Sequence, residues 1–293
     1  MTAYSLTHLP KLERLSPLVT RILGCNPSPM TLQGTNTYLV GSGNSRILID
    51  TGEDRNAEYS ELLSQVLQQQ KCTIGTIVCT HWHADHTGGI SDILNNVLSG
   101  LNPTVAKFPC AEHDVYPFTS SYDTFRQLIH KTTITADGCT LTAYHTPGHT
   151  TDHIVLMLEE ENTLFSGDCV LGEGTTVFED LYDYMKSLDA IIELKPNRIL
   201  PGHGATVEDP EDHVQNYISH RKQRESQIID ALKQFDDAYV TPMQIVLAVY
   251  KDIPEQLHAA AAVNVSHHLK KLAKDKIAVE KAGTFCSVEA AKL

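Results

Sequence analysis

Residues 77–89 read Ile-Val-Cys-Thr-His-Trp-His-Ala-Asp-His-Thr-Gly-Gly, and this stretch limits what the chain can fold into more than any other. Four side chains with metal-binding chemistry, His81, His83, Asp85 and His86, fall within six positions. The apolar run before them reads as a strand and Gly88-Gly89 as a turn toward a helix, so the four occupy a strand-end loop. Residues two apart in a strand face the same side, which lets His81 and His83 converge on one ion. At the following turn Asp85 and His86 can swing to a neighbouring ion. Imidazole and carboxylate donors suit zinc and other first-row divalent ions.

Three further candidates share this setting. His149 lies in Thr146-Pro147-Gly148-His149-Thr150, Asp168 in Phe165-Ser166-Gly167-Asp168-Cys169, and His203 in Leu200-Pro201-Gly202-His203-Gly204. Each follows an apolar run and each has a glycine beside it, where the backbone can approach closely or take a positive φ. Seven candidate ligands are enough for two sites of three or four, with one carboxylate left to bridge. Of the other histidines, His153 is close enough to His149 in sequence to orient a ligand. His113, His130, His145, His213, His220, His258, His267 and His268 have no such setting and read as packed or solvated residues.

The remaining composition bounds the chain. Its 293 residues allow one large or two modest domains. Seven cysteines, widely spaced and without a CxxC pair, read as free thiols in a reducing compartment. The N-terminus lacks the apolar stretch of a secretory signal, and no run of about 18 apolar residues predicts a membrane span. A net charge of −13 does not suggest nucleic-acid binding, but residues 1–204 carry −11 of it and residues 205–293 only −2.

Short β-branched runs predict strands at 19–23, 37–40, 46–50, 76–80, 104–108, 140–144, 154–158 and 163–166, with Gly-Ser-Gly-Asn at 41–44 as a hairpin turn. Helical periodicity marks 57–70, 90–98 and 181–194. Strands mixed with helices predict a layered α/β core. After His203 the texture changes. A polar helix at 211–235 is followed by Thr241-Pro242 as an N-cap, helices at 243–250 and 254–274, and β-like pieces at 277–279 and 284–288. This is the outline of a winged-helix module, so the expected division is 1–210 and 211–293.

In the order and setting of its seven positions the sequence resembles the metallo-β-lactamase superfamily. The resemblance implies an αββα sandwich with a C-terminal helical, winged-helix domain. It implies that His81, His83 and His149 hold one Zn2+, that Asp85, His86 and His203 hold a second, and that Asp168 bridges them. Segments 26–38 and 167–176 are similar to an animal group in that superfamily regarded as mitochondrial endoribonucleases on single-stranded RNA. That resemblance makes RNA the expected partner and the mitochondrial matrix the expected location, with no membrane contact and a homo-oligomer left open. Cytoplasm remains an alternative, as does the peroxisome, because Ala291-Lys292-Leu293 resembles a Ser-Lys-Leu address.

The chemistry that follows is hydrolysis by a hydroxide held between two ions. Asp85 and Asp168 are the catalytic carboxylates, Asp85 orienting the nucleophile. No GxSxG elbow is present, and Cys169 is expected to pack rather than react. Thr35, Asn36 and Thr37 are expected to donate hydrogen bonds to substrate oxygens. Lys270 and Lys271 are expected to meet RNA phosphates in a salt-dependent contact. On this division a cut after about Thr206 costs RNA binding more than metal. A glyoxalase II-like thioester hydrolase and a non-catalytic nucleic-acid-binding adaptor are the alternative functions.

Overall fold

The computed structural model describes residues 6–113, 124–235, 238–250 and 254–288, so Ala291-Lys292-Leu293 lies outside the described residues. Seven strands form one sheet in chain order: β1 (Leu12–Arg14), β2 (Val19–Leu23), β3 (Asn36–Val40), β4 (Ser45–Ile49), β5 (Thr73–Cys79), β6 (Thr104–Lys107) and β7 (Phe125–Gln127). The first four pair antiparallel and the rest parallel. The second sheet contains β8 (Thr132–Ala136), β9 (Cys139–His145), β10 (Ile154–Leu158), β11 (Thr163–Gly167) and β12 (Arg198–Pro201), in the order β12-β11-β10-β9-β8.

The strand period of two builds the layers. In β10, Ile154, Leu156 and Leu158 face the other sheet, while Val155 and Met157 face outward. In β3, Tyr38 and Val40 enter the same inter-sheet core and Leu39 faces the opposite way. The outer face of the first sheet is covered by α1 (Ala57–Gln70), through Tyr59, Leu63 and Val66. Beyond β5 come α2 (Ala84–Thr87) and α3 (Ile90–Asp92), and a π-helical turn, Ile93–Val97, continues α3 where one regular helix is expected from sequence. The second sheet is covered by α4 (Leu181–Leu194), through Leu181, Tyr184 and Leu188. The result is an αββα sandwich. Four strands escape the sequence reading: β1, β7 and β8 are largely exposed edge pieces, and β12 is only four residues long.

The chain then enters α5 (Pro210–Lys233), α6 (Pro242–Val249), a 3-10 turn at Glu255–Leu257, α7 (His258–Lys274), and a hairpin of β13 (Ala278–Lys281) and β14 (Thr284–Ser287). Thr241 and Gln244 cap α6 reciprocally with Pro242 in the first turn. Ile245, Val246, Val265, Leu269, Leu272 and Phe285 form this module's own core. Its boundary with the sandwich is not clean. Val214, Tyr217 and Ile218 of α5 pack into the sandwich core beside α4, whereas Ile228, Ala231 and Leu232 pack into the C-terminal core. A tail separable after about Thr206 is therefore not what the packing provides. Cys25, Cys72, Cys79, Cys139, Cys169 and Cys286 are free thiols. Among the described residues no helix is long and apolar enough to cross a membrane.

One buried ion pair ties the sheets together near the ligand-bearing turns. Lys107, at the end of β6, lies 2.6 Å from Asp152, which precedes β10, and both side chains are fully buried. Thr150 Oγ1 donates to Asp152 Oδ1 at 2.7 Å, and Lys107 Nζ donates to the Phe108 carbonyl at 2.9 Å. Removing one charge strands the other in a low dielectric, so Lys107→Met is expected to destabilise by about 3–5 kcal/mol. Lys107→Met/Asp152→Met is expected to recover much of that loss. Urea unfolding of the two variants checks this, and a single variant as stable as wild type would contradict it.

Candidate metal centre

Each ligand-bearing turn leaves the C-terminal end of a strand: His81, His83, Asp85 and His86 after β5, His149 after β9, Asp168 after β11 and His203 after β12. The structure brings all seven side chains together. Ligand atoms of His81, His83, His149 and Asp168 lie within 4.8 Å of one another, and so do those of Asp85, His86 and His203. His81 Nε2 is 3.0 Å from His83 Nδ1, and His149 Nε2 is 3.1 Å from His83 Nδ1 and 3.3 Å from His81 Nε2. His86 Nε2 and His203 Nε2 are 3.3 Å apart, and each is 3.2 Å from Asp85 Oδ2. Asp168 stands between the two sets. Its Oδ1 is 3.4 Å from His86 Nε2 and 3.3 Å from His203 Nε2, while its Oδ2 is 3.6 Å from His149 Nε2.

The outward nitrogens fix how the rings point. His149 Nδ1 donates to the Val177 carbonyl at 2.7 Å, so Nε2 turns its lone pair inward. His86 Nδ1 meets Asp50 Oδ2 at 2.7 Å and His81 Nδ1 meets Thr80 Oγ1 at 3.0 Å. Asp50 also accepts from the Thr80 N–H at 2.8 Å and the Thr80 hydroxyl at 2.9 Å. Its φ of +60° is rare for a non-glycine residue, a local cost accepted where the side chain must reach three donors. Asp50 was not singled out in the sequence; its one signal is an acidic residue directly after the apolar run Ile47-Leu48-Ile49. His153 accepts from the Asp168 N–H at 3.1 Å, within the turn that carries that carboxylate. Two glycines are required by close packing. A Cβ on Gly202 would stand 2.4 Å from Asp168 Oδ1, and one on Gly148, whose φ is +132°, would stand 2.3 Å from the Tyr184 backbone.

Electrostatics divides the two sets. Burial, reinforced by the neighbouring imidazoles, holds His81 well below the usual range and His83 at about 4. Burial also acts against charge on His203, but the Asp168 and Asp85 carboxylates outweigh it and raise His203 to about 9. His86 is likewise raised against its burial, by Asp85, Asp168 and Asp50. Asp168 and Asp85, despite burial, are held below the carboxylate range by His203 and His86. Burial pushes the Cys169 thiol far up, which removes it as a nucleophile.

This donor set fits divalent cations. Three imidazoles aim ring nitrogens at one another across 3.0–3.3 Å, and Asp168 Oδ1 is buried without a well-aligned hydrogen bond. Such groups are costly to bury unless a cation lies between them.

The loop at 26–37 behaves differently from its sequence expectation. Asn36 and Thr37 are fully buried and do not face the cleft. Asn36 Nδ2 donates to the Pro201 and Gly204 carbonyls at 2.9 Å, bracing the His203 turn, and Thr37 Oγ1 donates to the Ile22 carbonyl at 2.8 Å. Thr35 Oγ1 donates to Asp85 Oδ2 at 3.2 Å. All three are scaffold, because the loop turns its polar atoms toward backbone and ligands instead of solvent. Lys270 is exposed on α7, but Lys271 lies 2.8 Å from Glu225 and 2.6 Å from Asp275. Two carboxylates already neutralise Lys271, so it offers little to a phosphate.

Comparisons with known proteins show the family and the fold. The model of the metallo-beta-lactamase superfamily matches residues 30–203, and that of the beta-lactamase associated winged helix domain matches 241–284. A Drosophila melanogaster protein named beta-lactamase-like protein 2 homolog is 50% identical over 275 residues, covering 93% of this chain and 94% of that one. The atrochrysone carboxyl ACP thioesterase of Aspergillus fumigatus is 36% identical over 286 residues, covering 94% of this chain and 87% of that one. Among solved structures, a beta-lactamase domain protein from Burkholderia ambifaria superposes with a TM-score of 0.76 at 17% identity, covering 97% of this chain and 96% of that one.

The two sets should load differently with pH. His83, at about 4, carries no proton to displace near neutrality, whereas His203, at about 9, does. Ion uptake at His81 and His83 is expected to displace no proton between about pH 6 and 8, while uptake by the Asp85, His86 and His203 set strengthens as pH rises toward 9. Calorimetric titration in buffers of different ionisation enthalpy checks this; equal proton release by both ions would contradict it. Asp50→Asn, which weakens the acceptor behind His86, is expected to lower affinity at the second set by ~10–100-fold, and unchanged affinity would remove Asp50 from its assigned role.

Proposed function

The chain belongs to the metallo-β-lactamase superfamily, whose members are generally hydrolases, and from that premise we propose that it is a two-zinc endoribonuclease acting on single-stranded RNA. The observation that carries this reading is the position of Asp168, with one carboxylate oxygen toward each ligand set. That arrangement suits a pair of ions set to grip one phosphodiester. Held by these residues, two such ions would lower the pKa of a water to near neutrality and supply positive charge against the negative charge that develops on the phosphate oxygens.

The chain's own residues supply position. Asp168 is oriented by His153 at its N–H. Asp85 Oδ2 is held by Thr35, His86 and His203, and its carboxyl stays ionised at any physiological pH. It is therefore an acceptor that can orient a proton of the attacking water, not an acid that protonates the leaving group. At 20% exposure Asp85 is the more open of the two catalytic carboxylates, since Asp168 is 11% exposed.

Past the segment that holds His149, the chain carries groups suited to a polyanion. Val177, whose carbonyl holds His149, is exposed. Five residues on, the Tyr182 ring is flanked by Lys186 Nζ at 3.9 Å and Lys274 Nζ at 5.2 Å. An aromatic face between cations suits stacked bases and phosphates without sequence preference. Lys274 is already paired with Asp180 at 2.5 Å, so we assign the RNA contact to Tyr182, Lys186 and the exposed Lys270. A mitochondrial location belongs to the same proposal.

Thioester hydrolysis is the second reading, favoured by similarity to the fungal acyl-carrier-protein thioesterase. One assay separates them: labelled single-stranded RNA and S-lactoylglutathione offered in parallel to wild type, Asp168→Asn and His203→Ala. Metal-dependent internal cleavage of RNA is expected, reduced ~100-fold or more in both variants. Rapid thioester turnover with RNA left intact would overturn the RNA assignment, and RNA binding without turnover of either would favour the adaptor.

A further inference from the structure

The connection from Asp168 to α4 touches three of the candidate ligands. It begins at Asp168 itself. The Gly172 N–H donates to the His203 carbonyl at 2.9 Å. The Val177 carbonyl accepts from His149 Nδ1 at 2.7 Å, with Thr176 Oγ1 at 3.3 Å from the same nitrogen. Farther along, the Glu179 and Asp180 N–H groups donate to the Gly148 carbonyl at 2.8 and 3.1 Å, holding the turn that presents His149. Residues 169–180 contain no regular structure, so something outside the segment must fix it.

That support is one stripe of α5. His213, Tyr217 and Arg221 are four residues apart and share a helix face. His213 Nε2 donates to the Leu171 carbonyl at 2.9 Å. Tyr217 donates its hydroxyl proton to the Gly174 carbonyl at 2.8 Å and accepts from the Leu171 N–H at 3.3 Å. Arg221 Nη2 donates to the Thr176 carbonyl at 3.2 Å, and its guanidinium lies 4.9 Å from the Phe178 ring centroid. Arg221 and Tyr217 are buried. Among the described residues no carboxylate pairs with the buried Arg221 guanidinium, which rests on one carbonyl and an aromatic face.

We propose that Tyr217 and Arg221 are positioning residues for the metal centre: by pinning the backbone of 171–176 they set the Val177 carbonyl that orients His149. α5, the first helix after the sandwich, thereby acts on metal binding. The inference rests on the metal centre but not on the identity of the substrate. Its consequence is directional. Loss of either side chain loosens the acceptor behind His149 and leaves Asp50, the acceptor behind His86, untouched.

Cobalt(II) is the probe, added to metal-free full-length protein and followed by its visible absorption and by competition with a chelator. Arg221→Met and Tyr217→Phe, the latter retaining the ring in the core, are expected to lower cobalt affinity by ~10–100-fold and to alter the absorption bands. Ile245→Ala serves as the control, since Ile245 is fully buried in the C-terminal core on α6. It should lower the unfolding temperature without changing cobalt affinity. Wild-type affinity in both stripe variants, or an equal loss in Ile245→Ala, would overturn the inference alone. A wild-type protein that takes up no cobalt would overturn the metal centre and this inference with it.

Discussion

Imidazole nitrogens and carboxylate oxygens that face one another in a buried pocket govern the rest of this structure. His81, His83 and His149 aim lone pairs into a common space only 3.0–3.3 Å across. In the adjoining set, His86 and His203 are pulled toward the cationic form by Asp85 and Asp168. An apolar interior penalises both arrangements, so the fold must hold them from outside. It does so with an outer contact on four of the five rings: Thr80 behind His81, Asp50 behind His86, Val177 behind His149, and Gly34 at 3.4 Å behind His203.

The αββα sandwich is suited to this because strand ends deliver the ligands and apolar layers lock the strands. β4 and β5 run parallel, which brings Asp50 and the His81 loop to one edge, and β11 and β12 run parallel, which brings Asp168 beside His203. The alternating faces of β3 and β10 bury residues on both sides, leaving no freedom to slip register. The Lys107–Asp152 pair clamps the two sheets where the turn carrying His149 leads into β10. α5 completes the frame, with one end in the sandwich core and the other in the C-terminal core.

The sequence made some of this plain. Ligands packed as His81-Trp82-His83-Ala84-Asp85-His86 are legible because both the residue types and their spacing are unusual, and strand-end glycines mark their companions. The layered fold is legible because strands such as β2, β10 and β11 are continuous apolar runs. Asp50 is not legible: a single acidic residue after a strand is common, and only the fold shows that it faces His86. Asn36 and Thr37 look like cleft residues because a polar loop sequence does not reveal whether it turns inward. Lys271 looks like a phosphate contact because one of its two neutralising partners, Glu225, is 46 positions away in the chain. The role of α5 was hidden for the same reason, its polar stripe being indistinguishable from a solvated face until the connection at 171–176 is placed against it.

The most direct test is to locate metal in the protein as purified. X-ray fluorescence to identify the element, with anomalous scattering from a crystal to position it, would do so. Two divalent ions about 3.5–4 Å apart are expected, one among His81, His83 and His149 and one among Asp85, His86 and His203, with Asp168 touching both. Correctly folded protein that holds no transition element even in excess zinc, or ions bound only elsewhere on its surface, would contradict the account.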